Sequence, residues 1–209
     1  MYTRIRYNNR NKLLLGTVLK CASTSALQIA YYPLLGRFDK GPIQKRDKEF
    51  ASLMKKIIPD SEEWNSYPVR IAIVRNPIDR LFSCYVNRYL NETNTEYRRK
   101  NSHIRNYQSF VTNLDYIRSQ LPIIAHHSRP IFKVLGPAKY FTHIIDSKNI
   151  NTELVPLIKK ISGNKDVPSF HLNSSFASNK KSDTKIKKVL PLIKKYYKED
   201  YDEYGSYFI

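Results

Sequence analysis

The chain has 209 residues, of which 41% are hydrophobic and 12% aromatic, enough for one domain with a real core and unlike a disordered or collagen-type chain. Its 36 Lys and Arg against 18 Asp and Glu leave a net charge of +18, a field that attracts polyanions: nucleic acid, anionic glycan, acidic membrane or a multiply charged nucleotide. The two cysteines, Cys21 and Cys84, argue against a disulfide framework and fit a reducing compartment, and no spacing of Cys and His suits a metal.

Residues Met1 to Lys12 are polar and basic, and the apolar run that follows, Leu13 to Leu19, is too short for a signal-peptide core with its cleavage site or for a membrane span. A cytoplasmic protein is therefore expected. The run has no helical spacing and reads as a buried strand. Lys20 and the small or hydroxylated residues Cys21, Ala22, Ser23, Thr24 and Ser25 come next. Leu27, Ala30, Tyr31 and Leu34 then recur at helical spacing. The layout is strand, tight loop, helix start, and it makes an anion site. The first N–H groups of a helix lack intrahelical partners, and the helix dipole is positive there. Ser23 or Thr24 is expected to cap the helix, small side chains let a phosphate reach the backbone, and Lys20 adds a full charge. A GxxxxGK[ST] loop uses the same physics, but this loop lacks both glycines and its Lys precedes the hydroxyls.

Tyr32 to Lys48 reads as loop, with Pro33, Gly36, Gly41 and Pro42. Phe50, Leu53, Met54, Ile57 and Ile58 predict an amphipathic helix stopped by Pro59, and Asp60 to Pro68 a polar connection. Val69 to Val74 is the second strand. Arg75-Asn76-Pro77 ends it, with Asn76 as helix cap and Pro77 in the first turn. Leu81, Tyr85 and Tyr89 share one face of the helix that follows. Arg75 leaves the C-terminal end of a strand, where open α/β sheets bind ligands, and its planar fork suits a phosphate. Ser83, about two helical turns on, adds a hydroxyl donor.

Asn91 to Asn106 reads as a mobile polar surface segment, Tyr107 to Gln120 as one helix, and Pro122 to Pro137, with His126 and His127, as irregular. Tyr140 to Ile145 predicts a third strand, followed by a helix capped by Asn151 or Thr152 and running to about Ser162. Ser169 to Asp183 reads as a polar loop, and Lys185 to Tyr204 as a basic helix or helix pair broken at Pro191. Strands alternating with helices predict an α/β, P-loop-like layered fold with a mostly parallel central sheet flanked by helices, as a single domain over 1–209.

Two stretches also resemble a known family. Lys20 to Ser25 resembles the 5′-phosphosulfate loop of Golgi-type carbohydrate sulfotransferases, Pro-Lys-x-x-Ser-Thr-Ser, with Leu19 in place of the Pro. Ile71 to Tyr85 resembles their 3′-phosphate motif, Val-Arg-Asp-Pro-x-x-Arg-Leu-x-Ser-x-Tyr. Arg75, Pro77, Arg80, Leu81, Ser83 and Tyr85 match it in register, with Asn76 for the Asp. Phe110 through Pro130 is similar to the segment that ends in His-Trp-x-Pro, with Ser128 in place of the Trp. Phe170 to Ser175, followed by Lys180 and Lys181, is similar to a late loop that closes over the nucleotide.

The resemblance implies a sulfotransferase whose donor is 3′-phosphoadenosine 5′-phosphosulfate (PAPS) and whose acceptor is a hydroxyl, with a carbohydrate expected. It implies that Lys20 stabilises the leaving phosphate oxygen. Cys21, Ala22, Ser23, Thr24 and Ser25 hold the 5′-phosphate with it, Arg75 and Ser83 hold the 3′-phosphate, and Lys180 belongs to the covering loop. His127 is the first candidate for the base that takes the acceptor proton and His126 the second, with Asp60, Glu62 and Glu63 in reserve. Arg80 is expected in an ion pair that orients the loop, and Tyr197, Tyr201 and Tyr204 in packing. No metal and no membrane span are expected. Golgi relatives carry a membrane anchor, whereas this chain reads as a cytosolic version. Two competing readings are a basic nucleic-acid-binding protein, for which no recognised motif speaks, and a nucleotide phosphotransferase, which the missing glycines disfavour.

Overall fold

Strand β2 (Leu13–Thr17) is buried along its whole length, because its neighbours cover both faces of a run with no polar side. It pairs in parallel with β3 (Val69–Val74), and β3 pairs in parallel with β4 (His143–Asp146). A strand that the polar N-terminal sequence did not announce, β1 (Ile5–Asn8), adds antiparallel to the free edge of β2. The order is β1-β2-β3-β4, a mostly parallel sheet flanked by helices, as the alternation of elements predicts. This computed structural model describes residues 5–8, 12–35, 62–91, 93, 95–169 and 183–209. The expected helix of Phe50 to Ile58, Asp60, the late loop from Phe170 to Ser175, Lys180 and Lys181 all lie outside the described residues.

Helix α1 (Ser23–Leu35) follows β2, and the short α2 (Glu62–Asn65) precedes β3 and buries the only Trp, Trp64. Helix α3 (Pro77–Cys84) follows β3 and runs on as a π-helical segment, Tyr85–Leu90. Next come α4 (Thr95–Lys100), α5 (Tyr107–Thr112), α6 (Leu114–Gln120), α7 (Pro122–His127) and α8 (Phe132–Leu135). Beyond β4, a π-helical turn leads into α9 (Val155–Ser162). Helices α10 (Asp183–Tyr196) and α11 (Lys198–Tyr204) complete the described chain.

Two apolar clusters result. One lies on the sheet, where Leu14, Ile71 and Ile73 meet Ile29 of α1 and Ile158 of α9. The other lies among helices, where Leu81, Tyr85 and Tyr89 pack with Phe110, Ile117, Ile124 and Ile193. Burial of this kind contributes about 25 cal/mol per Å² of apolar surface removed from water, which makes it the main source of cohesion.

Several sequence expectations need correcting. The strand predicted to reach Leu19 stops at Thr17, and that predicted from Tyr140 starts at His143. The segment of Asn91 to Asn106 is anchored: it contains α4, and Thr93, Asn101 and Ile104 are buried. The single helix of Tyr107 to Gln120 is two helices divided at Asn113. The irregular stretch from Pro122 to Pro137 holds α7 and α8. Neither Asn151 nor Thr152 caps a helix, because both fall inside the π-helical turn. Pro191 sits within α10 without ending it, and the break comes at Tyr197. Tyr197 and Tyr204 are buried packing residues, as expected, and Tyr201 packs beside them.

Candidate active site

Parallel pairing brings the C-terminal ends of β2, β3 and β4 to one sheet edge. Thr17 stands opposite Ile73, and Val74 opposite Asp146. The loop Val18 to Ala22, the corner Arg75-Asn76-Pro77 and the turn after Asp146 all leave from that edge.

The first loop is wound tightly. The Cys21 N–H donates to the Val18 carbonyl at 3.2 Å, and the backbone takes left-handed angles at Lys20 (φ 66°) and Ala22 (φ 50°). Left-handed residues alternating along a loop curl successive N–H groups toward a common point, a concavity that suits anions. The expected cap at Ser23 or Thr24 is overturned. The Ala22 carbonyl accepts the first helical bond, from the Ala26 N–H at 3.0 Å, so the cap position falls on Ala22, which has no side-chain acceptor. Ser23, Thr24 and Ser25 are therefore the first three helical residues, and their N–H groups lack intrahelical partners. Among the described residues no backbone carbonyl takes these N–H groups, so the loop presents donors at the positive end of a thirteen-residue helix. Cys21 points inward instead. Its thiol is fully buried, burial pushes its pKa up to about 12, and its N–H is used within the turn.

The second corner folds as its sequence predicts. The Asn76 side chain accepts from the Ile78 N–H at 3.0 Å, and Pro77 takes the first helical position. Arg75 is half-buried, and its Nη1 donates to the Lys20 carbonyl at 3.0 Å, so the two loops are joined directly. Ser83 is buried on α3 and accepts from the Asn87 side-chain amide at 3.2 Å. Its hydroxyl proton is left for another acceptor.

Lys20 is a perturbed group in this cluster. Its pKa is lowered to about 8, first by burial and then by the positive charges of Arg88 and Arg75. Arg88 is a residue that the sequence did not single out. The π-helical segment carries it, and π-helical turns often mark functional sites. At the third strand end, Asp146 is buried and accepts from the Lys148 N–H at 2.8 Å, while Lys148 Nζ lies 3.6 Å from Asp79 at the start of α3. Burial raises the pKa of Asp146, and Lys148 and Arg75 oppose that shift. A search at the end of every parallel strand would have found Asp146 and Lys148.

The histidine pair is divided by α7. His127 is only 5% exposed, whereas the adjacent His126 is exposed, and the two rings meet edge to face with centroids 5.7 Å apart. The helix packs against α3 and the π-helical segment, next to the elements that carry Ser83 and Arg88. Glu62 and Glu63 are exposed on α2. Among the described residues there is no His, Cys, Asp and Glu cluster fit for a metal ion, and no helix long and apolar enough to cross a membrane.

The model of a family described as the sulfotransferase family matches residues 3–207, almost the whole chain. Comparison with curated proteins and with solved structures gives no match.

Proposed function

We propose, from the premise that this chain belongs to the sulfotransferase family, that it transfers a sulfuryl group from PAPS to a hydroxyl, with a carbohydrate as the acceptor class. Family membership makes it a transferase; the donor, the acceptor and the residue roles are the proposal. The observation that supports them is the bond from Arg75 to the Lys20 carbonyl, which joins the loop after β2 to the corner after β3.

The donor's two phosphate ends fit what the chain offers. The N–H groups and hydroxyls of Ser23, Thr24 and Ser25, on the loop shaped by Cys21 and Ala22, receive the 5′-phosphate. Arg75 and Ser83 receive the 3′-phosphate through a planar guanidinium and a hydroxyl. Lys20 supplies positive charge where the leaving oxygen gains negative charge, and its half-buried position strengthens that interaction. His127 accepts the acceptor's proton, with His126, Glu62 and Glu63 as weaker candidates because they are exposed. Lys180 is assigned to the cover of the nucleotide. The chain is taken to act as one unit over 1–209, in the cytoplasm.

The test is calorimetric titration with adenosine 3′,5′-bisphosphate and with 5′-AMP, paired with transfer from labelled PAPS to candidate glycans. Two charge-assisted contacts to the 3′-phosphate, about 1.5–3 kcal/mol each, predict a preference of about a hundredfold or more for the bisphosphate. Arg75→Ala should remove most of it. Equal affinity for the two nucleotides in the wild-type protein would overturn the 3′-phosphate assignment.

A further inference from the structure

Arg80 and Asp200 are almost completely buried, at 1% and 0% exposure. Arg80 Nη2 lies 3.9 Å from Asp200 Oδ2 and donates to the Arg129 carbonyl at 2.6 Å, and its guanidinium sits 5.4 Å from the Tyr197 ring centroid. The two carboxylate oxygens of Asp200 accept from the backbone N–H groups of Ile131, at 2.9 Å, and Phe132, at 2.8 Å. Tyr197 donates its hydroxyl to the Ser128 carbonyl at 2.7 Å. The four hydrogen bonds end on the backbone of 128–132, the turn that follows His127 together with the first residue of α8.

This arrangement is a poor device for stability. Burying two charges costs several kcal/mol each, and apolar residues of similar volume often hold a fold as well or better. Arg80 also keeps its buried Nε and Nη1 without a hydrogen-bond partner among the described residues, a further cost. What the charges provide that apolar side chains do not is directional bonding to a turn. Arg80 stands on α3, three residues before Ser83, so one helix carries both Ser83 and the contact to this turn, and Arg75 lies just before that helix.

We propose that Arg80, oriented by Asp200, is a positioning residue of the transfer reaction: it docks the turn after His127 onto the helix that carries Ser83, so that the proton acceptor and the donor pocket keep one geometry. The proposal rests on the sulfotransferase reading and on His127 as base. A misplacement of about 1 Å is enough to cost roughly a hundredfold in rate, so modest loosening of this turn is visible in turnover before it is visible in the fold.

The test uses the full chain and three variants: Arg80→Lys, Asp200→Asn, and the double variant Arg80→Met with Asp200→Leu, which leaves no lone buried charge if the single variants fail to fold. Three quantities are read per folded molecule: affinity for adenosine 3′,5′-bisphosphate, release of labelled sulfate from PAPS to water with its pH profile, and the His127 ring titration by NMR. The expected result is donor affinity within about twofold of wild type, release slower by about 10- to 100-fold with a displaced acidic limb, and a shifted His127 titration. A folded Arg80→Lys or double variant with the wild-type His127 titration and the wild-type release rate would overturn the proposal. A wild-type protein that neither binds the bisphosphate nor releases sulfate would count against the proposed function alone, and the His127 titration would still decide this one.

Discussion

Arg75 reaches across 55 positions of sequence to hold the carbonyl of Lys20, a residue whose own backbone is left-handed at φ 66°. An L-residue in that conformation is disfavoured by roughly 1–2 kcal/mol, and a hydrogen bond to a charged group offsets about that much. One bond therefore fixes the loop's shape and sets two cations side by side. Burial and the charge of Arg88 lower the pKa of Lys20 first, and the neighbouring Arg75 adds to the shift.

That pKa makes donor binding pH-dependent. Lys20 in the free protein loses its proton near a pH of about 8, and bound phosphate favours the charged form and raises the pKa. Binding then takes up a proton wherever the free lysine is neutral. Affinity for adenosine 3′,5′-bisphosphate should be level below that pH and fall by up to about tenfold per pH unit above it. Lys20→Arg, charged throughout, should bind with the same affinity across this range. Calorimetry at a series of pH values decides it, and a flat wild-type profile would show that Lys20 does not meet the donor.

Removing the charge tests rate separately from binding. Lys20→Ala should slow single-turnover transfer from labelled PAPS by roughly 10²–10³. Donor affinity, measured apart, should fall much less, because the helix N–H groups and Arg75 remain. Equal losses in both would mean that Lys20 only binds the donor.

The two histidines should behave differently. His127→Ala should leave donor affinity unchanged, slow transfer by about 10²–10⁴ and remove the acidic limb of the pH–rate profile. His126→Ala, which alters an exposed side chain, should stay close to wild type in all three. The opposite pattern would move the base to His126, and two near-normal variants would move it to Glu62 or Glu63.

Ala22 gives a test of loop geometry without touching any charge. Ala22→Gly relieves the left-handed strain at φ 50° but adds freedom to the unfolded chain, so stability should stay within about 1 kcal/mol of wild type and donor affinity should be kept. Ala22→Val, β-branched, should destabilise by more than about 1 kcal/mol and weaken the donor. Thermal melting with and without adenosine 3′,5′-bisphosphate measures both.

Local chemistry made much of this site readable. The apolar runs of β2 and β3 are strands, the corner Arg75-Asn76-Pro77 turns where an Asn cap and an N-terminal Pro direct it, and Arg80 is paired as expected. What was not readable depends on distant partners. The turn of 128–132 is shaped by Tyr197, Arg80 and Asp200, at sequence separations of 49 to 69, so it resembles loop when read alone. β1 is a four-residue edge strand with a mixed sequence and no apolar run to announce it. The burial of His127 had a local signal, since Ile124 and His127 stand three residues apart, at helical spacing, and both are buried on α7.

The sheet register also constrains how the molecule is made. Leu13 pairs with Val69 and Ile71 with His143, separations of 56 and 72 residues, so every parallel ladder closes a long loop before any of its bonds form. The loop after β2 and the corner after β3 acquire a common edge only once that closure is complete. Early collapsed chains present neither loop in its final place at that edge. Any ligand that needs both loops together recognises only the finished product, so it would hold the native state by slowing its loss and leave the rate of its formation alone.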